Sequence, residues 1–202
     1  MLIQAPNYYR PPGWDEFDKR ATIAGTTPYF SRAADVNRFG ARYRLARAFK
    51  GLDLDGYSTE TKVGYEALTK VTLHWSAFEQ LKKSINMKDT RELVKDYNFS
   101  SLANNIRKLD ADGSFFKFLK KHLSNKSQAQ SLSDFIEGKN DNLLLLSKFI
   151  RHIFLHGPLS ANVSGNSPLV VREICDLLSD LLVTIMNKEF KKCVDSLVLA
   201  YP

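Results

Sequence analysis

The sequence has few of the features that mark a secreted or membrane-bound protein. It contains only two cysteines, Cys175 and Cys193. We predict both on one long C-terminal helix, where residues 18 positions apart lie about 27 Å from each other, far beyond the reach of a disulfide. The first residues do not resemble a leader peptide, and no apolar run reaches the ~18 residues of a membrane span. We therefore expect a cytoplasmic protein with reduced thiols and no membrane association.

Metal-binding patterns are also missing. The four histidines and two cysteines do not have the spacing of zinc ligands. Two Asp-x-Asp-Gly stretches begin like calcium loops, at Asp53 and Asp110. Their twelfth positions are Gly64 and Lys121, where such a loop needs a bidentate glutamate. We therefore predict turns at both places, no metal site and no cofactor.

The charge of the chain is its clearest compositional feature. Lys and Arg number 29 against 22 Asp and Glu, which gives a net charge of +7 and a pI near 9.3. An excess of positive charge favours an anionic partner, and nucleic acid is the commonest one. The plainer alternative is a protein that is basic without binding nucleic acid, and composition does not separate the two.

Apolar residues recur at helical spacing along most of the chain. Residues 58–85 and the long segment after Ser167-Pro168 repeat them every three or four positions, and that pair is typical of an N-cap and first helical residue. No series of strand patterns appears. Further helices are predicted near 14–22, 31–49, 90–96, 101–109, 114–123 and 142–156. We predict an all-α fold, with an N-terminal extension over residues 1–28 and one helical bundle domain over residues 29–202.

The segment 142–158 is the most apolar of the predicted helices and belongs in a protein interior. Four basic residues interrupt it, within an arc of about 140°, and form what we call the basic stripe: Lys148, Arg151, His152 and His156. Unpaired charge in a core is unfavourable. Either partners on other helices satisfy the stripe, or it faces a cleft that binds an anion. Gly157 and Pro158 are expected to end the helix, with the last histidine in its final turn.

A second group of basic residues lies on the predicted helix 31–49, for which Ser31 is the candidate N-cap. Arg38 and Arg42 share one face, and an aromatic residue follows each of them. Basic residues interleaved with aromatics can grip a phosphate backbone and stack bases. We predict that these two arginines, together with Lys148, bind the substrate. A solvated helix face is an equally open interpretation.

The order Arg151-His-Ile-Phe-Leu-His156 resembles the Arg–polar–x3–His motif of the HEPN superfamily. Its setting is similar too, because an apolar helix ends in the motif, a glycine follows, and a short loop leads to a long apolar final helix. The resemblance covers residues 58–199 in architecture, although only three residues carry the motif. Members of the family are small helical bundles, many of which are metal-independent ribonucleases. The resemblance therefore implies an endoribonuclease for single-stranded RNA, acting as a homodimer in a toxin–antitoxin or antiviral setting.

The resemblance also implies a role for each residue of the motif. RNA cleavage by internal attack removes a proton from the ribose 2′-OH and delivers one to the departing 5′-oxygen, and histidine can do either at neutral pH. His156 would be this acid or base, and Arg151 would stabilise the negative charge on the phosphorane. His152, directly after the arginine, would orient the site.

Two features leave an alternative open. A helical histidine is more often a hydrogen-bonded structural residue than a catalyst, and Arg151 has a candidate structural partner in Glu79. The chain would then be a catalytically inactive HEPN module that binds RNA or a partner protein.

HEPN toxins controlled by a nucleotidyltransferase carry a tyrosine two residues after the motif histidine, where this chain has Pro158. We therefore expect an antitoxin or other regulatory partner, if one exists, to act in a different way.

Overall fold

The computed structural model describes residues 9–87, 90, 93, 96–162 and 167–202, and the secondary structure elements within this part of the chain are α-helices. In chain order they are α1 (Trp14–Lys19), α2 (Ala21–Ala24), α3 (Ala33–Ala48), α4 (Thr59–Ser84), α5 (Ser100–Leu109), α6 (Ser114–Lys121), α7 (Lys126–Ile136), α8 (Leu143–Leu155) and α9 (Pro168–Ala200). The all-α prediction is confirmed. The helix predicted at 90–96 falls largely outside the described residues. The boundary at residue 28 and the HEPN-like identity of the bundle stay predictions.

The chain divides into two compact units. The terminal unit combines Met1–Phe49, Ser76–Lys88 and Leu181–Pro202, and the central unit combines Lys50–Trp75 and Asp89–Asp180. The long helices α4 and α9 contribute residues to both units, whereas α8 lies wholly in the central unit.

The terminal unit is built around an aromatic cluster centred on Phe190 of α9. Four rings lie with their centroids 5.4 to 6.0 Å from it: Trp14, Phe17, Phe30 and Phe39. Gly40 of α3 permits this packing, because a Cβ there would lie 2.3 Å from the indole of Trp14. Large rings dominate the energetics of a core. The segment predicted as an extension therefore supplies part of the hydrophobic core of this unit.

In the central unit, α8 presents one face to the core, where its buried apolar residues are Leu143, Leu144, Leu146, Phe149, Ile150 and Ile153. Its N-terminal end has a side-chain cap that was not predicted, and its C-terminal end forms as predicted. The side chain of Asn142 accepts a hydrogen bond from the amide of Leu145 at 3.1 Å, which caps the first turn. Gly157, with φ of 96°, follows the last turn in the left-handed conformation that glycine adopts without strain.

The final helix α9 begins as predicted. Pro168 is its first residue, and the Ser167 hydroxyl accepts a hydrogen bond from the amide of Leu169 at 3.3 Å. The apolar stripe of α9 is buried within the chain at Val171, Ile174, Leu178, Leu182, Ile185 and Met186. Both cysteines lie on this helix as free thiols, and burial raises the pKa of Cys193 to about 11. Among the described residues, no helix is long and apolar enough to cross a membrane.

One local prediction needs correction, and one helix was not predicted. Ser31 does not cap α3, which begins at Ala33 after Arg32 and has no side-chain cap; the Ser31 hydroxyl instead donates to the carboxylate of Asp35 at 3.4 Å. The polar stretch 124–140 contains a helix, α7, capped by the side chain of Asn125. A buried carboxylate thus outcompetes the usual serine cap. The apolar face of α7 is narrow, since only Leu132 and Phe135 among its large apolar residues are buried.

Candidate functional site

The basic stripe lies at the surface of the central unit. Lys148, His152 and His156 are exposed, and Arg151 is half-buried. The apolar neighbours of the stripe suggested that it is enclosed in the core, but the structure places it at the surface. His156 is the C-cap residue of α8, directly after the last turn rather than within it.

The two histidines of the stripe form a pair. The His152 and His156 ring centroids lie 4.4 Å apart, with an angle of 60° between the planes. This contact follows from their spacing, since residues four apart meet on one helical face. Within the part of the chain that the structure describes, no hydrogen bond reaches either ring. Both histidine side chains are exposed.

His74 of α4 shows how a structural histidine of this chain differs from that pair. It is 2% exposed, and its Nδ1 lies 2.8 Å from the carbonyl oxygen of Lys70. A buried ring with a backbone partner matches the structural role that most helical histidines have. His152 and His156 have neither the burial nor the backbone bond, which favours a role toward solvent or ligand.

The electrostatic surroundings of His152 are positive. Its pKa is lowered, first by partial desolvation and then by the positive charges of His156, Arg151 and Lys148. A histidine with a lowered pKa is neutral at pH 7 and can accept a proton. The four residues of the stripe therefore interact as one electrostatic group, as their spacing predicts.

The loop after the motif is fixed against the start of α4. Leu159 and Ala161 are buried, and Gly64 makes room for Ala161, whose Cβ would lie 2.8 Å from a Cβ at that glycine. The side-chain amide of Asn162 donates to the hydroxyl of Thr61 at 3.1 Å. The close helix–loop contact anchors the segment that follows His156.

Three aromatic residues form a continuous row that sequence patterns did not predict, and the last of them neighbours the stripe on α8: Tyr57, Tyr65 and Phe154. The Tyr57 and Tyr65 rings meet edge to face at 5.8 Å and 87°, and Tyr65 contacts Phe154 at 6.5 Å. Tyr57 is 54% exposed. We call this group the aromatic row. One sequence signal could have indicated this row: a tyrosine stands in the turn Asp-Gly-Tyr-Ser, where an aromatic core residue is not expected.

Arg38 and Arg42 lie on α3 in the terminal unit, whereas the stripe lies in the central unit. The Arg38 guanidinium donates to the Asp35 carboxylate at 2.9 Å, and that of Arg42 donates to the Ser76 hydroxyl at 3.2 Å. Both side chains are exposed. Their role in binding a substrate stays a prediction.

The aromatic part of that prediction is wrong. Phe39 and Tyr43, which follow the two arginines, are 0% and 3% exposed. The hydroxyl of Tyr43 donates to the side-chain oxygen of Asn187 at 2.7 Å. Both rings therefore pack in the core and do not face a base, because adjacent positions on a helix point about 100° apart.

The described residues contain no group of three or more His, Cys, Asp or Glu side chains arranged to hold a metal ion. Comparison with family models, with curated proteins and with solved structures found no match. The resemblance to HEPN proteins therefore depends on residues 151–156 and their setting in the chain.

Proposed function

We propose that the protein is a metal-independent endoribonuclease of the HEPN type that cleaves single-stranded RNA. The observation that carries this proposal is the end of α8, where the His152 and His156 rings lie 4.4 Å apart at the surface, beside half-buried Arg151. This arrangement combines two proton-transfer groups with a cation of restricted mobility. Those are the groups needed for internal attack on a phosphodiester.

The reaction assigned to this site transfers two protons, forms one bond to phosphorus and breaks another. The ribose 2′-oxygen loses its proton and forms a bond to the adjacent phosphorus, and the bond from phosphorus to the 5′-oxygen breaks. The 5′-oxygen takes up a proton, which leaves a 2′,3′-cyclic phosphate and a 5′-hydroxyl. His156 acts as acid or base, and Arg151 stabilises the charge on the phosphorane.

His152 has the orienting role in this proposal. Two imidazoles 4.4 Å apart disfavour simultaneous protonation, and the lowered pKa of His152 favours its neutral form. A neutral imidazole offers one donor and one acceptor nitrogen. It can therefore hold a ribose hydroxyl or phosphate oxygen while its neighbour transfers the proton.

The proposal includes a homodimer in which both motifs face one RNA cleft. Two histidines and two arginines would then converge on one phosphate. The apolar stripe of α9 gives no independent support, because it is buried within the chain. We expect a dimer in sedimentation at micromolar concentration, and a monodisperse monomer would remove this part of the proposal.

An inactive HEPN module that binds RNA or a partner protein is the second candidate. The observation that favours it is the lack of any hydrogen bond to the His152 or His156 ring within the described residues. Catalytic histidines are usually oriented by a second group that fixes the tautomer. In a dimer or an RNA complex, that group would come from the partner subunit or from the substrate.

The test is incubation of the purified protein with single-stranded RNA in excess EDTA, followed by analysis of the new termini. We expect cleavage that leaves 2′,3′-cyclic phosphate ends and spares DNA, which has no 2′-OH. His156→Ala should abolish cleavage and lower stability by only about 1 kcal/mol, because this residue is an exposed helix cap.

Loss of cleavage in EDTA, equal cleavage of DNA, or full activity of folded His156→Ala would contradict the mechanism. An RNA that stays intact under every condition would favour the inactive module.

A further inference from the structure

The aromatic row is a surface feature that the proposed chemistry does not use. Tyr57 precedes α4, Tyr65 lies in its second turn, and Phe154 lies in the last turn of α8. The edge-to-face contact of the two tyrosines at 87° leaves the faces of one ring uncovered by the other. More than half of the Tyr57 side chain is exposed. The row therefore offers aromatic surface to a ligand.

The row borders the basic stripe. Phe154 comes three residues after Arg151 on α8, and residues at this spacing are neighbours on a helix surface. Around the helix axis, Phe154 lies about 60° to one side of Arg151, whereas His152 lies about 100° to the other side. The arginine is thus flanked by an aromatic side and a histidine side.

The segment that carries Tyr57 is held at both ends. Before it, the Glu66 carboxylate accepts a hydrogen bond from the amide of Leu52 at 3.1 Å. After it, the Ser58 hydroxyl accepts one from the amide of Thr61 at 3.2 Å and caps α4. An aromatic ring positioned in this way loses little conformational entropy when it binds a ligand.

We propose that the aromatic row is a stacking platform for the nucleobases of single-stranded RNA next to the phosphate bound by Arg151. The charge of the neighbouring stripe complements a phosphate backbone, and exposed aromatic rings stack on any base. A second copy of the chain fits less well, because three partly covered side chains fall short of the ~800 Å² per partner in a standard protein interface. This inference rests on the proposed RNA substrate but not on catalysis.

The test separates base stacking from phosphate binding and from cleavage. A fluorescent 2′-O-methyl oligouridine of about 12 nucleotides is titrated with the full-length protein, and binding is followed by fluorescence anisotropy. The 2′-O-methyl groups prevent cleavage by internal attack. A matched oligomer with abasic spacers has the same phosphates without the bases. We expect the wild-type protein to bind the base-bearing oligomer about fivefold more tightly, or more, since one stacked base contributes at least that factor.

The decisive variant is Tyr57→Ala, which should remove most of this preference for bases and leave binding of the abasic oligomer unchanged. Tyr57→Phe retains the ring and should retain the preference. Tyr201→Ala removes another exposed tyrosine, in the terminal unit, and should have no effect. Because Tyr57 is exposed, its replacement should not impair folding.

Each outcome decides a separate point. Equal binding of the two oligomers by the wild-type protein, or an unchanged preference in Tyr57→Ala, overturns the stacking platform even if RNA is cleaved. A preference that depends on Tyr57 without any cleavage supports the platform and rejects the nuclease. No binding of either oligomer overturns both. Dissociation of a dimer by Tyr57→Ala, with unchanged oligomer binding, would assign the row to a contact between copies instead.

Discussion

Two groups of basic residues, one in each unit, have similar composition but different electrostatic surroundings. In the terminal unit, Arg32, Arg38 and Lys83 surround the carboxylate of Asp35 at 3.2, 2.9 and 3.4 Å. That carboxylate is 1% exposed. In the central unit, the groups that shift the pKa of His152 through their charge are all positive. The first group surrounds a buried carboxylate of its own chain, whereas the charges that lower the pKa of His152 are positive.

The lowered pKa of Asp35 reflects the positive residues around its carboxylate. Burial would raise the pKa of Asp35, but the hydrogen bonds and charges of Lys83 and Arg32 outweigh it and the pKa is lowered. The carbonyl oxygen of Asp35 also accepts hydrogen bonds from Gln80 at 3.1 Å and Ser84 at 2.9 Å. Arg38 therefore belongs to a structural network within its unit. A count of basic residues would have given both groups the same role.

The largest expected effect comes from removing the arginine of the basic stripe. Arg151→Ala should lower the cleavage rate by about 100-fold or more, because it removes the charge that stabilises the phosphorane. Arg151→Lys should restore little, since an ammonium does not reproduce the two-pronged geometry of a guanidinium. The rate is measured with single-stranded RNA at saturating protein concentration.

Arg38→Ala is the matched control for this comparison. It should leave the rate of cleavage unchanged and lower the thermal midpoint slightly, because the Asp35 carboxylate loses one of its three cationic partners. An equal loss of activity in the two alanine variants would show that the two groups do not differ in the way their surroundings indicate.

Sequence periodicity predicted the parts of the fold that depend on local pattern. Helices α4, α8 and α9 repeat apolar residues over many turns, and the caps at Ser167 and Gly157 depend on nearest neighbours. The turn at Asp110 was also predicted, although not its role, in which the buried carboxylate accepts hydrogen bonds from the amides of Phe115 and Phe116.

What the sequence did not show depends on contacts between distant segments. The Asp35 network joins α3 to the end of α4, and the aromatic row joins residues 57, 65 and 154. The stripe itself followed from helical spacing, but its exposure did not, since seven of the thirteen α8 residues are buried. Whether a basic residue lies next to an acidic one from elsewhere in the chain is decided by tertiary packing.

A smaller effect is expected from pH, through His152. Its pKa is lowered in the folded protein, so the unfolded chain binds more protons between that value and the ordinary value of 6.5. This favourable contribution to stability is present above pH 6.5 and is lost as the pH falls toward the folded pKa. His152→Gln should therefore reduce the fall in thermal midpoint between pH 7.5 and 5.5, by about one to two degrees, since an exposed group contributes little.

NMR titration of the imidazoles tests the cause of that shift directly. Lys148→Gln removes one of the positive charges that lower the pKa of His152 and should move it part of the way back toward 6.5. Because burial is the larger cause, the recovery should be incomplete. A pKa of His152 at or above its ordinary value in the wild-type protein would contradict the positive surroundings described for the stripe.

The smallest expected effect concerns the arginines of α3, and it asks whether a group that already has partners in its own chain still contributes to binding. Arg38→Glu/Arg42→Glu should weaken RNA binding a few-fold and flatten its salt dependence, since each lost phosphate contact removes about 0.7 from the slope of log K against log salt for single strands. Arg42 should account for most of the change, because its partner is the neutral Ser76 hydroxyl, whereas Arg38 already contacts Asp35. The single variants, compared in the same titration over several salt concentrations, separate the two contributions. An unchanged affinity and slope in the double variant would mean that this face of α3 is only solvated surface.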